Sequence, residues 1–286
     1  MKQRILIFGV SGMLGSTLLR YFSAQDSFEV YGTARSHSAI EGLPSHLRQN
    51  IFLNVDAENV DHLIKVVSVA RPDVMINCIG VVKQLVEAEE PLSAIPLNSL
   101  LPHRLAGLAA TCHTRLIHVS TDCVFSGDQG GYLESDLPDA TDLYGRSKLM
   151  GEVDYPNAVT LRTSLIGHEL NGSRSLVNWF LSQQRSVKGF TKAIFSGLPT
   201  VEIARVIKQF VLPNPGLRGL YHLSAESISK HDLLVLVRDI YGKQIDIIPD
   251  DSLVIDRSLN SSRFREATGF APKSWPEMIQ AMHDFG

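Results

Sequence analysis

The chain has 286 residues, of which 44% are hydrophobic and 20% are charged. This length suits one large α/β domain, or a domain with a smaller lobe, and the composition is ordinary for a globular protein. The formal charge at pH 7 is −3, from 27 Lys and Arg against 30 Asp and Glu, so no broad basic surface for nucleic acid is expected.

Cysteine and histidine usage further narrow the class of protein. The three cysteines lack a CxxC spacing, which argues against a disulfide framework and a zinc site and fits a reducing compartment. The ten histidines show no metal-ligand spacing. Only four apolar residues, Ile5 to Phe8, precede Gly9, too few for a signal-peptide core, and no later run is long enough to span a membrane. We therefore expect a cytoplasmic protein without a bound metal.

The hydrophobic pattern alternates between strand and helix through the first 163 residues. Strands are predicted at 5–8, 28–33, 50–53, 74–79, 115–119 and 159–162. Helices are predicted at about 12–24, 57–70 with Asp56 as N-cap, 92–112 with bends at Pro96 and Pro102, and from Asp142 onward. This alternation predicts an α/β fold with a doubly wound parallel sheet of the Rossmann type.

The alternation weakens after Arg162. An amphipathic helix is predicted around 176–184, a strand near 219–223 is expected to return to the sheet, and helices are predicted at 230–241 and 272–284. We therefore predict a nucleotide-binding Rossmann domain over residues 1–163. A small substrate-binding lobe, mainly residues 164–286, is predicted to be interleaved with it.

The chain is organised around the glycine turn that follows the first strand. Gly9, Gly12 and Gly15 have a GxxGxxG spacing. Gly9 would allow a sharp turn, Gly12 would let a pyrophosphate approach the backbone, and Gly15 would let the helix press against the sheet. A plain strand-to-helix connection is the alternative. The cofactor contacts predicted for this turn are Gly9, Ser11, Gly12, Met13, Leu14 and Gly15.

The end of the second strand predicts which cofactor binds. When NAD is bound, this position normally carries an acid that accepts the ribose 2′-OH. Here the strand ends in Thr33, Ala34, Arg35 and Ser36, without an acid. A guanidinium and a hydroxyl suit a 2′-phosphate, so we predict NADPH/NADP+ held by Arg35 and Ser36, with NADH as the alternative.

Two further motifs follow predicted strands. Ser120-Thr121-Asp122 comes directly after the fifth strand, and Tyr144 and Lys148 share one face of the next helix. An ammonium near a phenol lowers its pKa and prepares it for proton transfer, while the Thr121 hydroxyl could bond the reacting oxygen. Alone, the first motif is more often a turn or cap, and the second is common on solvated helices. Their combination in this order favours a device that protonates an alkoxide as hydride reaches a carbonyl carbon.

Four stretches resemble one known family. Residues 119–125, VSTDCVF, are similar to VSTDYVF, and residues 142–152 are similar to NVYGRSKLAGE. Residues 71–77 match RPDVVIN, and 161–164 match the start of LRTSW. These stretches resemble the dTDP-4-dehydrorhamnose reductase branch of the extended short-chain dehydrogenases/reductases. The resemblance runs from residue 4 to about residue 270.

The resemblance implies an NADPH-dependent enzyme that reduces the C4 keto group of a nucleotide-linked 4-keto-6-deoxy sugar for cell-surface polysaccharide synthesis. It implies Thr121, Tyr144 and Lys148 as the catalytic residues, with Tyr144 and Lys148 also contacting the cofactor. It places Asn54 and Val55 near adenine, and Cys78, Ile79, Gly80 and Val82 near nicotinamide. The substrate contacts predicted beside these are Lys83, Cys123, Phe125, Ser164, Trp179 and Arg263.

Departures from the family pattern leave the substrate open. Cys123 replaces a tyrosine, residues 165–168 replace a tryptophan-containing loop, and residues 197–200 keep only part of a pocket-closing segment. A uridine-linked 6-deoxy-N-acetyl sugar is therefore an equal alternative to the deoxythymidine-linked one. An epimerase or dehydratase of the same superfamily, and a non-catalytic NADP-binding accessory protein, are the other hypotheses. A nucleotide sugar is the expected partner, with neither nucleic acid nor a membrane, and a homodimer is the candidate assembly.

Overall fold

The computed structural model of the protein describes residues 2–83 and 86–286. The strands of the large sheet are β1 (Gln3–Phe8), β2 (Phe28–Thr33), β3 (Ile51–Phe52), β4 (Val74–Asn77), β5 (Arg115–Thr121), β6 (Ala158–Thr163) and β11 (Gly219–His222). The smaller sheets contain β7 (Leu165–Ile166), β8 (Val187–Phe190), β9 (Ala193–Phe195), β10 (Leu198–Pro199), β12 (Ile228–Ser229), β13 (Ile247–Asp250) and β14 (Ile255–Asp256).

The α-helices are α1 (Met13–Ser23), α2 (Ser45–Arg48), α3 (Val60–Ala70), α4 (Pro91–Ala94), α5 (Leu101–Thr111), α6 (Leu143–Met150), α7 (Leu176–Ser182), α8 (Thr200–Val206), α9 (Lys230–Ile240), α10 (Ser262–Thr268) and α11 (Trp275–Phe285). π-Helical turns cover Ile95–Leu100 and Ile207–Val211. Single 3₁₀ turns cover Ser38–Ile40, Val86–Glu89 and Asp122–Val124.

The large sheet has the strand order β11-β6-β5-β4-β1-β2-β3. β1 pairs in parallel with β2 and β4, β2 pairs in parallel with β3, and β4 pairs in parallel with β5. The chain therefore winds outward from β1 in both directions, as in a doubly wound Rossmann fold, and the predicted fold class is confirmed. β11 lies at the sheet edge, as expected for the returning strand at 219–223.

Apolar packing on both faces suits β1 to its interior position in the sheet, between β4 and β2. Ile5 to Phe8 are fully buried, as expected for a parallel strand covered by helices. Helix α1 buries Leu14, Leu18, Leu19 and Phe22, whose helical spacing places them on one face. A second apolar cluster joins residues of α3 and α5 to Leu6, Phe8, Met75 and Leu116 of the strands.

Two helix predictions need correction or refinement. Asp56 is not the N-cap of α3, because the helix begins later and the Asn59 side chain accepts from the backbone N–H groups of Asp61 and His62. The predicted 92–112 helix is interrupted by the π-helical turn Ile95–Leu100, which separates α4 from α5. Pro96 lies in that turn and Pro102 lies in the first turn of α5, where its missing N–H is tolerated.

Backbone contacts divide the chain into two compact units. The first contains Met1–Ser120, Thr141–Leu161 and Gly216–Leu220, and the second contains Thr121–Ala140, Arg162–Pro215 and Tyr221–Gly286. Residues 121–140 thus cluster with the second unit, although the sequence predicted them within the first domain. Hydrogen bonds from Tyr132 N to Ser258 O, 2.9 Å, and from Arg257 Nε to Phe125 O, 2.7 Å, explain this difference.

The lengths and hydropathies of the helices determine whether any of them could span a membrane. Within the described part of the chain, none of the helices combines the length and the hydropathy needed to cross a bilayer.

Candidate active site

The turn between β1 and α1 uses its three glycines differently. Gly9 has a φ of +86°, a left-handed conformation that favours glycine, and its N–H donates to Thr33 Oγ1 at 3.2 Å. A Cβ at Gly15 would lie 2.1 Å from the Gly9 carbonyl oxygen. The nearest atom that a Cβ at Gly12 would meet is that same oxygen, at an ordinary 3.5 Å. The fold therefore requires glycine at 9 and 15, whereas glycine at 12 leaves space beside the backbone.

The N-terminus of α1 suits an anion. Gly12 is its N-cap and supplies no side-chain cap, and the first turn, which begins Met13-Leu14-Gly15, carries no acid. The first N–H groups of an 11-residue helix have no intrahelical acceptor and carry partial positive charge. With the space at Gly12, this turn fits a dinucleotide pyrophosphate, and Ser11 lies half-buried within it.

The end of β2 fits a phosphorylated ribose. Arg35 is exposed, and among residues 2–83 and 86–286 it forms no ion pair. The Ser36 hydroxyl accepts from Ala39 N at 3.3 Å, which orders the turn. Val55 N donates to Ala34 O at 3.2 Å, so the loop that contains Asn54 lies beside the residue that precedes Arg35. The adenosine-binding residues predicted from separate parts of the chain are thus neighbours.

Asn77, the last residue of β4, fixes the turn that follows. Its Oδ1 accepts from Ile79 N at 3.1 Å, and its Nδ2 lies 3.2 Å from His118 Nδ1. A Cβ at Gly9 would be 2.8 Å from Ile79 Cγ1, so the two turns are in close contact. Cys78 and Gly80 are half-buried in the Asn77 turn, and Val82 after it is exposed.

Asn98 connects this turn to α6, and no spacing or motif in the sequence identifies it. It is fully buried in the π-helical turn. Its Oδ1 accepts from Val81 N at 2.9 Å, and its Nδ2 donates to Ser147 Oγ at 3.1 Å. A Cβ at Gly80 would lie 3.0 Å from Asn98 Oδ1 and 3.8 Å from Lys148 Nζ. Asn98 therefore positions the predicted nicotinamide turn beside the lysine.

Helix α6 presents Tyr144 and Lys148 on one face. The predicted helix from about Asp142 onward is confirmed, and the Asp142 side chain caps it by accepting from Gly145 N at 2.8 Å. Tyr144 is half-buried, whereas Lys148 is only 6% exposed and donates from Nζ to Val119 O at 3.0 Å. Lys83, predicted as a substrate contact, forms an ion pair with Asp142 at 2.7 Å.

Burial sets the electrostatics of Lys148. It lowers the pKa of the ammonium from its ordinary 10.5 to about 8, because the charged form loses hydration. Glu152 and Cys78 act in the opposite direction and partly offset this effect. Below pH 8 the side chain is therefore a buried cation four residues from a phenol.

Thr121, in the second unit, ends β5 and is tied to its own neighbours. Its hydroxyl accepts from Cys123 N and donates to Asp122 Oδ1, each at 3.2 Å. Burial raises the pKa of the Asp122 carboxyl, while Arg257 and hydrogen bonds from Thr121, Cys123 and Ser164 oppose that shift. Thr121 thus has a fixed orientation in a buried polar cluster.

The other predicted substrate residues of the second unit differ in exposure. Phe125 is fully buried and stacks on Tyr132, with ring centroids 4.0 Å apart, so we assign it to the core rather than to the proposed substrate contacts. Cys123 and Ser164 are half-buried. Trp179 lies on α7 with 37% of its surface exposed, and Arg263 of α10 is exposed over the Tyr221 ring.

Among residues 2–83 and 86–286, His, Cys, Asp and Glu form no group of three or more that could hold a metal ion.

Three comparisons show what this chain is similar to. A family model described as RmlD substrate binding domain matches residues 3–284. A dTDP-4-dehydrorhamnose reductase of Aggregatibacter actinomycetemcomitans is 24% identical, with 97% of each chain covered. Methionine adenosyltransferase 2 subunit beta of Danio rerio is 26% identical, over 84% of this chain and 74% of that protein. The crystal structure of dTDP-4-dehydrorhamnose reductase from Bacillus anthracis, in complex with NADP, has a TM-score of 0.81 and 21% identity, covering 99% of this chain and 98% of that one.

Proposed function

This chain belongs to the RmlD substrate binding domain family, and we propose that it is an NADPH-dependent reductase of a nucleotide-linked 4-keto-6-deoxy sugar. One observation carries the proposal most strongly. A buried lysine, Lys148, is fixed by Val119 O four residues after a half-buried tyrosine on the same helix. Burying an ammonium costs folding free energy, so a role for its charge explains why the site retains it.

The described residues fit NADPH as the cofactor. We propose that the turn from Gly9 to Gly15 holds the pyrophosphate, that Arg35 and Ser36 hold the 2′-phosphate, and that Asn54 and Val55 lie near adenine. Cys78, Ile79, Gly80 and Val82 would line the nicotinamide side. When bound, this cofactor supplies hydride to a carbonyl carbon.

The catalytic steps assigned to the protein concern the proton. We propose that Tyr144 donates its phenolic proton to the substrate oxygen as that oxygen becomes an alkoxide. The Lys148 ammonium stabilises the resulting phenolate, since an opposite charge nearby favours the ionised phenol. Thr121 bonds the reacting oxygen and holds it in line. Because the Thr121 hydroxyl has a single proton, which it donates to Asp122 Oδ1 in the structure, this role requires the hydroxyl to rotate and donate that proton to the reacting oxygen instead.

The substrate contacts are the less constrained part of the proposal. Cys123, Ser164, Trp179, Lys83 and Arg263 remain the proposed contacts, and the sugar remains open between the deoxythymidine-linked and uridine-linked alternatives. The division into an NADP-binding domain and a substrate-binding lobe also remains a prediction, as do a homodimer and a cytoplasmic location.

An assay of NADPH oxidation tests the proposal directly. The purified protein is incubated with NADPH and with each of a panel of nucleotide-linked 4-keto-6-deoxy sugars, and the loss of absorbance at the reduced nicotinamide band is followed. Oxidation with at least one sugar supports the proposal. Tightly held NAD in the purified protein would favour an epimerase instead, and absence of turnover with retained NADPH binding would favour an accessory protein.

The accessory-protein alternative has its own support. The chain is 26% identical to proteins named as a subunit of methionine adenosyltransferase, a value similar to its identity with the reductase. The complete set of Thr121, Tyr144 and Lys148 favours the reductase, because a protein that only binds NADP has no chemical need for a proton donor.

A further inference from the structure

A buried histidine lies one residue away from the carbonyl that binds Lys148. His118 of β5 is fully buried, and so is Asn77 of β4 beside it. These two residues are direct partners in the parallel pairing of β4 with β5. His118 belongs to none of the motifs in the sequence, yet its ring contacts the side chain that orders the Asn77 turn.

The donor character of the Ile79 backbone N–H determines which of these side-chain atoms donate and which accept. Ile79 N is a backbone donor, so the atom of the Asn77 amide that faces it must be the oxygen. The Asn77 nitrogen therefore faces His118 Nδ1 and donates to it at 3.2 Å. Because Nδ1 accepts, a neutral His118 carries its proton on Nε2.

The neutral form is the one that burial favours. Burial lowers the pKa of His118 well below its ordinary value, and the charges of Lys148 and His103 lower it further. A protonated ring would also turn Nδ1 into a donor that faces the donor group of Asn77. His118 thus remains an acceptor at physiological pH.

The other ring nitrogen, Nε2, lowers the stability of the fold. His118 Nε2 is buried, and no residue in the described part of the chain accepts a hydrogen bond from it. A buried N–H without a partner costs about 1–3 kcal/mol, so an apolar side chain would suit the core better at this position. The contact of Nδ1 with Asn77 accounts for keeping an imidazole here.

We propose that His118 is a positioning residue, which fixes the cofactor-facing turn from Cys78 to Gly80 by orienting the Asn77 side chain. The inference rests on the proposed function for the role of that turn in nicotinamide binding. The chain of contacts from His118 Nδ1 through the Asn77 amide to Ile79 N stands on geometry alone. Without an acceptor at 118, the amide could rotate and release Ile79 N.

Two substitutions distinguish the effect of losing the hydrogen-bond acceptor at residue 118 from the effect of losing the volume that the ring fills. His118→Met removes the acceptor at similar volume, while His118→Gln keeps a side-chain oxygen that can accept from Asn77. Hydrogen exchange of the Ile79 amide is measured by NMR without any cofactor, with the amides of α3 as the internal reference. We expect about tenfold faster exchange at Ile79 in the Met variant, and exchange within about threefold of the parent in the Gln variant. If the Met variant does not fold, His118→Phe serves instead.

The affinity for NADPH gives the second measurement. We expect the Met variant to bind NADPH about three- to tenfold more weakly than the parent, with the Gln variant close to the parent. Unchanged exchange at Ile79 in the Met variant, or equal acceleration in both variants, would overturn the proposal. A parent that binds no NADPH would instead count against the proposed function, because the exchange experiment does not depend on it.

Imidazole ¹⁵N shifts of the parent should show the proton on Nε2, and a proton on Nδ1 would also overturn the proposal.

Discussion

The cofactor-facing turns of the first unit and the Thr121 cluster of the second differ in how far the fold depends on their functional groups. In the first unit, Gly12 at the N-cap of α1 leaves space beside its backbone, and the exposed Arg35 side chain after β2 forms no ion pair within the described residues. Thr121 instead uses its hydroxyl both to donate to Asp122 and to accept from Cys123 N. Substitutions in the first region should therefore change cofactor binding or turnover without lowering stability. Substitutions in the second region should lower turnover and stability together.

The largest effect is expected for Tyr144→Phe. The phenolic hydroxyl is the proposed proton donor, and general acid catalysis typically contributes about 10²–10⁴ in rate. We expect kcat to fall by about that factor, whereas the melting temperature and the affinity for NADPH stay near those of the parent. Steady-state kinetics, thermal melting and a binding titration check the three parts. Near-parental turnover in this variant would falsify the mechanism.

Lys148→Met sharpens the comparison, because it should separate function from stability most clearly. We expect turnover to fall by about 10² and NADPH binding to weaken, since the ammonium is proposed to serve both. At pH 7 we expect the free energy of unfolding to rise by about 1–3 kcal/mol. The variant no longer buries a charge, and this gain is partly offset because the hydrogen bond to Val119 O is lost. Chemical denaturation measures this change. A variant that is less stable than the parent would show that the charge supports the fold.

The same lysine predicts a pH dependence. Its folded pKa of about 8 lies below its unfolded value near 10.5, so between these values the unfolded chain binds more protons. The parent should therefore gain stability as the pH rises from about 8 to 10, relative to the Met variant. Its kcat should fall over the same range, as the ammonium is lost.

Thr121→Val tests the coupled region. The substitution removes a donor to the buried Asp122 carboxyl and an acceptor for Cys123 N, so we expect a loss of about 1–3 kcal/mol in stability. Turnover should fall by about 10-fold, less than for Tyr144→Phe, because one hydrogen bond is lost rather than the proton. Thr121→Ser keeps the hydroxyl and is the matched control. A Val variant as stable as the parent would contradict the comparison between the two regions.

Arg35→Ala tests the cofactor assignment at an exposed position. A charge-assisted hydrogen bond is typically worth about 1.5–3 kcal/mol, so the ratio of kcat/KM for NADPH over NADH should fall by about tenfold or more. The melting temperature should not change, because within the described residues Arg35 forms no ion pair that would be lost. An unchanged ratio would refute the contact between Arg35 and the 2′-phosphate.

The sequence predicted those features that depend on local pattern. The buried runs of β1 and β4 and the helices near 12–24 and from Asp142 onward follow from short-range periodicity, and the structure confirms them. The roles of Asn98 and His118 were not predicted from the sequence. They depend on contacts with residues 17 and 41 positions away, which no periodic signal encodes. Asp56 was wrongly predicted as a cap, because its carboxylate accepts from Glu58 N ahead of the helix, whereas Asn59 accepts from the first N–H groups of α3. Phe125 was predicted as a substrate contact from its motif, and its stacking on Tyr132 became evident only from the fold.

Gly12→Ala should have the smallest effect and is the most direct test of an open binding turn. Gly12 has φ −81° and ψ 165°, which alanine adopts readily, and a Cβ there would make only an ordinary contact with the Gly9 carbonyl. The melting temperature should therefore stay within a degree or two of the parent, whereas NADPH should bind about three- to tenfold more weakly, because the methyl group occupies the space proposed for the pyrophosphate. Gly107→Ala is the matched control: a Cβ there meets no atom within 4 Å, and replacing this glycine within α5 should stabilise the protein by about 0.5–1 kcal/mol without changing NADPH affinity. Equal NADPH affinity in the Gly12→Ala variant and the parent would show that the pyrophosphate does not approach the backbone at Gly12.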